Sequence, residues 1–291
     1  MSISFSGVLY LYSNTSPETA AVFRCLYALP VLLLVAFLER RNGAIISRRA
    51  LALSLIAGVL FAGDLVFWHH AVDKVGAGLA TVLGNSQVVI VALGTWMLFG
   101  ERPPNRTLAA LPIVMLGVIL IAGLITNQAH GVDPVMGVLF GFVAALTYSG
   151  YLMIMRRVDR SAGTAGPVAI STTMTAIVCA VSGAAVGTLD LVPSFPNHLW
   201  LILLGLSAQA AGYLLISYSL PRLPAVQTSI ILLAQPVIAV LTAIVLVPEL
   251  PSPEQFLGVA FVIGGIALAT VPLRARPANA GSTLEAEPAE A

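Results

Sequence analysis

Charged side chains are scarce in this chain. Of its 291 residues only 9% are Asp, Glu, Lys or Arg, while 58% are hydrophobic; an ordinary soluble domain has about 25% charged residues. So few charges cannot cover a globular surface, which excludes a soluble enzyme. Lysine occurs once, as Lys74, and the formal net charge is +1. Because no basic excess is available to neutralise phosphates, we expect no binding of nucleic acid.

Signals of catalysis and of metal binding are also missing. Only two cysteines occur, Cys25 and Cys179, and both lie inside apolar runs, which indicates neither a disulfide framework nor a metal site. No G-x-x-x-x-G-K-[ST] motif is present to hold the phosphates of ATP. No grouping of Ser, His and Asp or of Cys and His suggests a nucleophile. We therefore expect no enzyme, no cofactor and no ATP-driven step.

What the sequence does have is long apolar runs separated by short polar breaks. A helix needs about 20 apolar residues to cross the hydrocarbon core, and lipid forces the backbone to hydrogen-bond within each segment. Nine runs approach this length, at 18–38, 51–72, 76–98, 107–125, 135–155, 167–187, 199–219, 224–247 and 255–273. A tenth, from Met1 to Tyr12, is too short to cross alone. The pattern predicts an all-α polytopic protein of ten transmembrane helices that contacts the lipid bilayer.

Basic residues fall in every second polar break. Twelve of the 14 follow the first, third, fifth, seventh and ninth full runs, namely Arg40, Arg41, Arg48, Arg49, Arg102, Arg106, Arg156, Arg157, Arg160, Arg222, Arg274 and Arg276. Cytoplasmic loops carry the excess of Lys and Arg, so we expect these breaks and the C-terminus in the cytoplasm and the chain in the cell inner membrane. The Ala-, Pro- and Glu-rich tail at 274–291 is expected to be disordered.

The chain matches itself at a spacing of 148 residues. The matching pairs are Gln87 and Gln235, Glu101 and Glu249, Pro103 and Pro251, and Gly117 and Gly265. Glu101 falls in a cytoplasmic break and Glu249 in an external one, so the two copies have inverted topology. Inverted repeats are a recurring architecture of secondary transporters, with the substrate site near the midplane between them. We expect a first repeat at 1–125 and a second at 135–273.

The repeat indicates that the first helix is shortened. Ser6-Gly7 aligns with Ser149-Gly150, and each pair lies a few residues before its run ends. The first helix then lacks roughly eight to ten of the about 20 residues needed to cross. Either the start codon is assigned too late or the first helix is short.

At this point the sequence resembles the EamA-like family of the drug/metabolite transporter superfamily, from about Phe5 to Leu273. The resemblance is carried by Ser16-Pro17 with Phe23-Arg24, Gly63-Asp64 with Trp68, Ala77 to Gln87, Gly100-Glu101-Arg102, and Pro224 through Gln235-Pro236 to Glu249. It implies ten helices in two inverted five-helix units around a central cavity. It also implies export or exchange of amino acids, other metabolites or toxic compounds. The chain departs from the family at its short first helix and at Val247-Pro248-Glu249, which lacks a counterpart of Gly100.

Two charges lie inside predicted spans. Arg24 is six residues into its run, about 9 Å deep at 1.5 Å per residue, and Asp64 lies at a similar depth from the same side. A charge in the membrane costs at least about 2.5–3.5 kcal/mol, so such groups usually pair or face a water-filled cavity. Either Arg24 and Asp64 form a structural ion pair, or Arg24 meets an anionic group of the substrate in the cavity.

Amide and aromatic side chains complete the candidate site. Gln87 and Gln235 lie near the midplane in the two repeats, and either line the cavity or form interhelical hydrogen bonds. Pro236 removes a backbone donor and is expected to kink its helix. Further candidates in the spans are Asn85, Trp68 and Tyr148, with Tyr151 and Tyr213 ranked lower.

The adjacent histidines, His69 and His70, point to different faces of a helix and do not form a two-histidine metal site. A proton relay with Asp64 and Asp73 is conceivable, but we expect two solvated histidines at the external membrane interface.

The sequence favours a carrier that exports a small polar or amphipathic solute, amino-acid-like or drug-like, by alternating access. A membrane enzyme acting on lipid or prenyl substrates is an alternative, although the Asp-rich loops of such enzymes are absent. A passive channel or scaffold is another, which the inverted repeat disfavours. Gly258, Gly264 and Gly265 give the last run a small-residue surface for close packing, either within the chain or in a homodimer.

Overall fold

Every regular element that the structure describes is helical. The computed structural model describes residues 2–100, 102, 105–121, 132–219, 225–247 and 251–270. The α-helices are α1 (Ser6–Ser13), α2 (Pro17–Arg41), α3 (Arg48–Val75), α4 (Ala77–Asn85), α5 (Gln87–Phe99), α6 (Asn105–Ile121), α7 (Pro134–Met155), α8 (Ala165–Val186), α9 (Phe195–Leu204), α10 (Tyr213–Ser219), α11 (Ala225–Leu246) and α12 (Pro253–Thr270). A π-helix at Gly205–Gly212 joins α9 to α10, and short 3₁₀ turns lie at Ser2–Phe5 and Arg160–Ala162. The predicted all-α fold is confirmed.

Several helices have the length and composition of membrane spans. Five are long and apolar enough to cross a membrane, at Pro17–Arg41, Arg48–Val75, Pro134–Met155, Ala165–Val186 and Phe195–Ile216. Shorter apolar helices occupy the other predicted spans, and α1 is the shortest of them. The chain is therefore a multi-pass membrane protein of ten transmembrane segments. The predicted disordered tail at 274–291 lies outside the described residues, as do Glu101 and Glu249.

Local sequence sets where the long helices begin. Ser16 precedes α2 and its hydroxyl accepts a hydrogen bond from the backbone of Thr19 at 3.2 Å, while Pro17 occupies the first turn. Ser47 caps α3 in the same way, and Asp133 caps α7 ahead of Pro134. Such caps satisfy backbone donors that have no partner inside the helix. Each span therefore begins at a polar break that the sequence already showed.

Two predicted spans are not continuous α-helices. The run at 76–98 is divided at Ser86, whose hydroxyl donates to the carbonyl of Leu83, while Asn85 Nδ2 donates to the carbonyl of Thr81 at 2.8 Å. These local bonds compete with the helical ladder. The run at 199–219 widens into the π-helix. It begins at Gly205, where an added Cβ would lie 2.8 Å from the carbonyl oxygen of Arg24, so α2 passes very close.

Helices of the first half pack against helices of the second half. The largest contacts join α3 to α7, α6 to α12 and α2 to α8, and α4 also packs on α11 and α1 on α9. Glycines allow the closest approaches. A Cβ on Gly117 would lie 2.7 Å from the carbonyl of Gly258, and the reverse distance is also 2.7 Å. This arrangement leaves a polar space between the halves, where α1, α2, α3, α4, α5, α7, α10 and α11 meet.

Candidate functional site

A cavity of about 60 Å³ lies between the two halves of the bundle. Its wall is formed by Ile3, Ser6, Arg24, Asp64, Leu65, Trp68, Thr81, Gly84, Asn85, Gln87, Tyr148, Tyr213 and Gln235. The seven candidates taken from the sequence, Arg24, Asp64, Trp68, Asn85, Gln87, Tyr148 and Gln235, are all in this wall. They come from α2, α3, α4, α5, α7 and α11, so helices of both halves supply the polar groups.

Arg24 is held in the wall by a buried amide. Its Nε donates to Oε1 of Gln209 in the π-helix at 3.0 Å, and Gln209 Nε2 donates to the hydroxyl of Thr172 in α8 at 3.2 Å. All three side chains are buried. This chain of hydrogen bonds fixes one edge of the guanidinium and joins three helices behind the cavity.

The predicted ion pair between Arg24 and Asp64 is absent. Both residues are described and both line the cavity, but no nitrogen of Arg24 lies within 4.0 Å of an oxygen of Asp64. The guanidinium contacts Gln209 instead, because the π-helix places that amide against α2. Arg24 and Asp64 thus face the same small space without direct contact between their side chains.

Gln87 lies where the helix is broken. It is the first residue of α5, and its carbonyl oxygen accepts a bond from the hydroxyl of Ser149 in α7 at 3.3 Å. Its side-chain Oε1 is buried and accepts no hydrogen bond from the described part of the chain. Oε1 of Gln87 therefore does not form the interhelical hydrogen bond that was one of the two alternatives for this residue. Gln235, its partner at the 148 spacing, lines the same cavity from α11 just before Pro236.

Aromatic rings form another part of the wall. Trp68 of α3 and Tyr148 of α7 line the cavity as the sequence suggested, and Tyr213 of α10, which the sequence ranked lower, does so as well. The rings of Tyr148 and Tyr213 have centroids 6.4 Å apart. Tyr151 instead packs on the ring of Phe61 at 4.7 Å, outside the cavity wall.

The adjacent histidines have different surroundings. His69 is fully buried against Tyr10, with ring centroids 4.3 Å apart, so the prediction of a solvated interfacial residue is wrong for it. His70 is partly exposed, and its Nε2 lies 3.1 Å from Glu18 Oε1. The hydroxyl of Thr188 donates to the other oxygen of Glu18 at 2.9 Å. His69 is buried because α1 and the start of α2 cover this end of α3.

Three of these polar groups were not singled out from the sequence: Gln209, Thr172 and Glu18. For Gln209 a signal was available, since it lies at the centre of the 199–219 run, where an amide needs a buried partner. Thr172 is one of several hydroxyls in α8 and carries no comparable signal. Glu18 follows a proline at a helix start and has the pattern of an ordinary first-turn acid.

Known proteins resemble this chain over most of its length. The chain is 26% identical to "Uncharacterized transporter YwfM" of Bacillus subtilis (strain 168) over 272 residues, which are 92% of this chain and 89% of that protein. It is 29% identical over 113 residues to "Pseudopaline exporter CntI" of Pseudomonas aeruginosa (strain UCBPP-PA14), which are 39% of this chain and 40% of that one.

A protein of known crystal structure shares the fold, with a TM-score of 0.61 and 20% identity over 92% of this chain and 93% of its own. The EamA-like transporter family matches twice, over residues 1–123 and 135–271. The two matches together cover most of the sequence. From these matches and the bundle just described, the chain belongs to the EamA-like transporter family.

Proposed function

We propose that this transporter exports a small polar or amphipathic solute by alternating access, with the cavity as its binding site. The observation that carries the proposal is the wall of the cavity, where Arg24, Asp64 and Gln87 of the first half face Tyr148 and Gln235 of the second. A site shared between two inverted halves changes its access when one half moves against the other. The energy source is then a gradient or an exchanged solute.

The ionisable and polar groups in the wall favour a solute of amino-acid type. Among the described residues, Arg24 and Asp64 face one cavity without a direct ion pair, and Gln87 Oε1 is a buried acceptor without a donor. An unpaired charge in the membrane is costly, and so is a buried polar atom without a partner. A solute that carries an anionic group, a cationic group and a further N–H would satisfy all three at once.

The size of the cavity fits a state of such a cycle that holds no solute. A buried water needs about 10–15 Å³ of cavity volume, so the observed 60 Å³ has room for only a few waters. An amino-acid-sized solute therefore requires the halves to separate. The break at Ser86 and the proline at Pro236 are at matching places of α4–α5 and α11, next to the two glutamines. Both are suited to act as hinges.

Direction and orientation belong to the same proposal. The match to a protein named as an exporter supports outward transport, and the Arg-bearing breaks support a cytoplasmic C-terminus in the bacterial inner membrane. An impermeant thiol reagent on intact cells should label a cysteine placed at position 128 and leave one placed at position 48 unlabelled. The opposite pattern would overturn the orientation.

Two leucine substitutions test the site. We expect Gln87→Leu and Gln235→Leu each to lower counterflow of labelled amino acids in proteoliposomes at least tenfold, while the amount of inserted protein stays near normal because leucine is well tolerated in a span. Thr242→Val is the control, since it removes a hydroxyl of α11 that bonds only to its own helix. Full counterflow in both glutamine variants would overturn the proposed site. Leak without counterflow in the unmodified protein would indicate a channel.

A further inference from the structure

Gln209 is the least expected polar group near the cavity. It lies in the middle of an apolar span, is 1% exposed, and uses both ends of its amide, one toward Arg24 and one toward Thr172. A glutamine placed only to join two helices could bond to backbone or hydroxyl groups. This one bonds to the buried arginine that lines the cavity.

The π-helix explains how Gln209 reaches that position. Gly205–Gly212 is rich in small residues, and Gly205 itself packs against the backbone of Arg24. A π-helical turn shifts the side-chain register relative to an α-helix, and such turns are frequent at functional sites. The widened turn brings the amide of Gln209 between α2 and α8. The π-helical turn thus places this amide for its two contacts, with Arg24 Nε and with the hydroxyl of Thr172.

That contact leaves most of the guanidinium available. Arginine has five N–H donors in a planar fork, and Gln209 uses only the one on Nε. Within the described residues, the two terminal nitrogens of Arg24 donate no hydrogen bond. Arg24 is 2% exposed, yet it forms part of the cavity wall. Its remaining donors therefore face the cavity and donate to none of the described residues.

We propose that Gln209 is a positioning residue that holds Arg24 so that its terminal nitrogens form a subsite for the carboxylate of the solute. A carboxylate accepts two parallel N–H bonds from a guanidinium, which adds geometric selectivity to charge. A lysine would offer a point charge without this geometry. Thr172 supports the arrangement by fixing the other end of the Gln209 amide. The inference rests on the proposed function, because it assigns one group of the transported solute.

Binding of butyrate and of its neutral isostere butyramide tests the subsite on the purified full-length protein. Of the three tryptophans, only Trp68 lines the cavity, so Trp96→Phe and Trp200→Phe leave it as the sole reporter. We expect saturable quenching of Trp68 by sodium butyrate at constant ionic strength, with at least tenfold weaker binding of butyramide. Equal affinity for the two probes, or no binding of butyrate, would overturn the carboxylate subsite.

Variants of Gln209 then separate positioning from a structural role. Gln209→Met keeps the volume and should weaken butyrate binding at least tenfold with little change for butyramide. Gln209→Glu keeps the contact to Arg24 but neutralises the charge of the guanidinium, so this variant should abolish butyrate binding. If the contact were merely structural, the Gln209→Glu variant would bind butyrate like the parent. Thr172→Val should weaken butyrate binding a few-fold. Thr175→Val is the matched control one turn away, where an equally buried hydroxyl bonds to the carbonyl of Gly58, and it should bind like the parent.

The outcomes are distinguishable from those of the transport test. If Gln209→Met binds butyrate like the parent, or loses affinity for butyrate and butyramide equally, Gln209 does not position Arg24. Counterflow that depends on Gln87 and Gln235 would then still support the proposed function. Conversely, selective butyrate binding without any counterflow would leave the subsite standing and overturn the proposed transport.

Discussion

Helices α2 and α8 are joined at both ends by a glutamate of α2, and the two joints are built differently. Glu39 receives the backbone N–H groups of Thr164 and Ala165 at 2.8–3.1 Å, at the end predicted to face the cytoplasm. Glu18 instead contacts the side chains of His70 and Thr188, at the end predicted to face outward. One joint uses backbone donors and the other uses side chains, which can rotate away.

The Glu39 joint replaces a cap that α8 lacks. Thr164 precedes the helix without giving a side-chain hydrogen bond, so the carboxylate of Glu39 satisfies the first donors and the positive end of the helix dipole. Gly163 makes this possible, since its φ is +72° and a Cβ there would contact Glu39 Oε2.

The Glu18 joint lies about one to two helical turns from the cavity. His70 lies six residues beyond Asp64 on α3, about 9 Å along the helix axis. Opening this joint would separate α2 from α3 above the cavity. The two halves, although related by a repeat, are therefore not closed by equivalent contacts at their two ends.

The largest expected effect comes from locking each joint with a disulfide. Ser16→Cys with Thr188→Cys would cross-link the outer end, where Ser16 Oγ donates to the carbonyl of Thr188 at 2.7 Å. Ile45→Cys with Ser161→Cys would cross-link the other end, where the Ile45 amide donates to the Ser161 carbonyl at 2.9 Å. If the outer joint opens during the cycle while the Glu39 joint stays closed as a pivot, oxidation of the first pair should abolish counterflow and oxidation of the second should leave most of it.

The native thiols and the oxidant provide the controls for this experiment. Cys25 and Cys179 are buried and are first replaced by alanine, and each pair is measured again after reduction with dithiothreitol. Recovery on reduction shows that the cross-link, and not the substitutions, caused the loss. Equal inhibition by both cross-links would show that the two joints open alike and would remove the distinction between them.

A smaller effect is expected on stability at the Glu39 joint. Glu39→Leu leaves the amides of Thr164 and Ala165 without their acceptor, and loss of a helix cap costs about 0.5–2 kcal/mol. In a protein of this size about 1 kcal/mol corresponds to roughly 2–4 °C, so we expect a fall of a few degrees in the unfolding midpoint. Scanning fluorimetry in detergent at one fixed scan rate measures it. An unchanged midpoint would mean that water caps α8 as well as Glu39 does.

Much of the fold could be predicted because membrane spans are long and locally encoded. The apolar runs, the Arg-bearing breaks and the capping residues lie next to the helices that they define. The cavity wall was also accessible, since a charge such as Arg24 or Asp64 in a span needs a special environment. The 148 spacing then led from Gln87 to Gln235, and both line the cavity.

What escaped prediction depends on packing between distant segments. The π-helix is set by the approach of Gly205 to α2, and neither its start nor its register is written in the local pattern. The partner of Arg24 follows from that register, which is why Asp64 was the natural but wrong choice. His69 is buried because α1 covers it, and nothing near His69 in the sequence indicates that contact.

The smallest expected effect is at the Glu18 joint itself. Glu18→Gln keeps an acceptor for the hydroxyl of Thr188 but loses the charge opposite His70. Because His70 is partly exposed, the pair is expected to contribute less than about 1 kcal/mol, so the unfolding midpoint should change by less than it does in Glu39→Leu. Counterflow should nevertheless change in rate, because the contact that holds the outer end is weakened. His70→Gln is the matched variant from the other side of the contact and should change the rate in the same direction. If both variants keep the counterflow rate of the parent, the Glu18 joint is a static contact and differs from the Glu39 joint only in its partners.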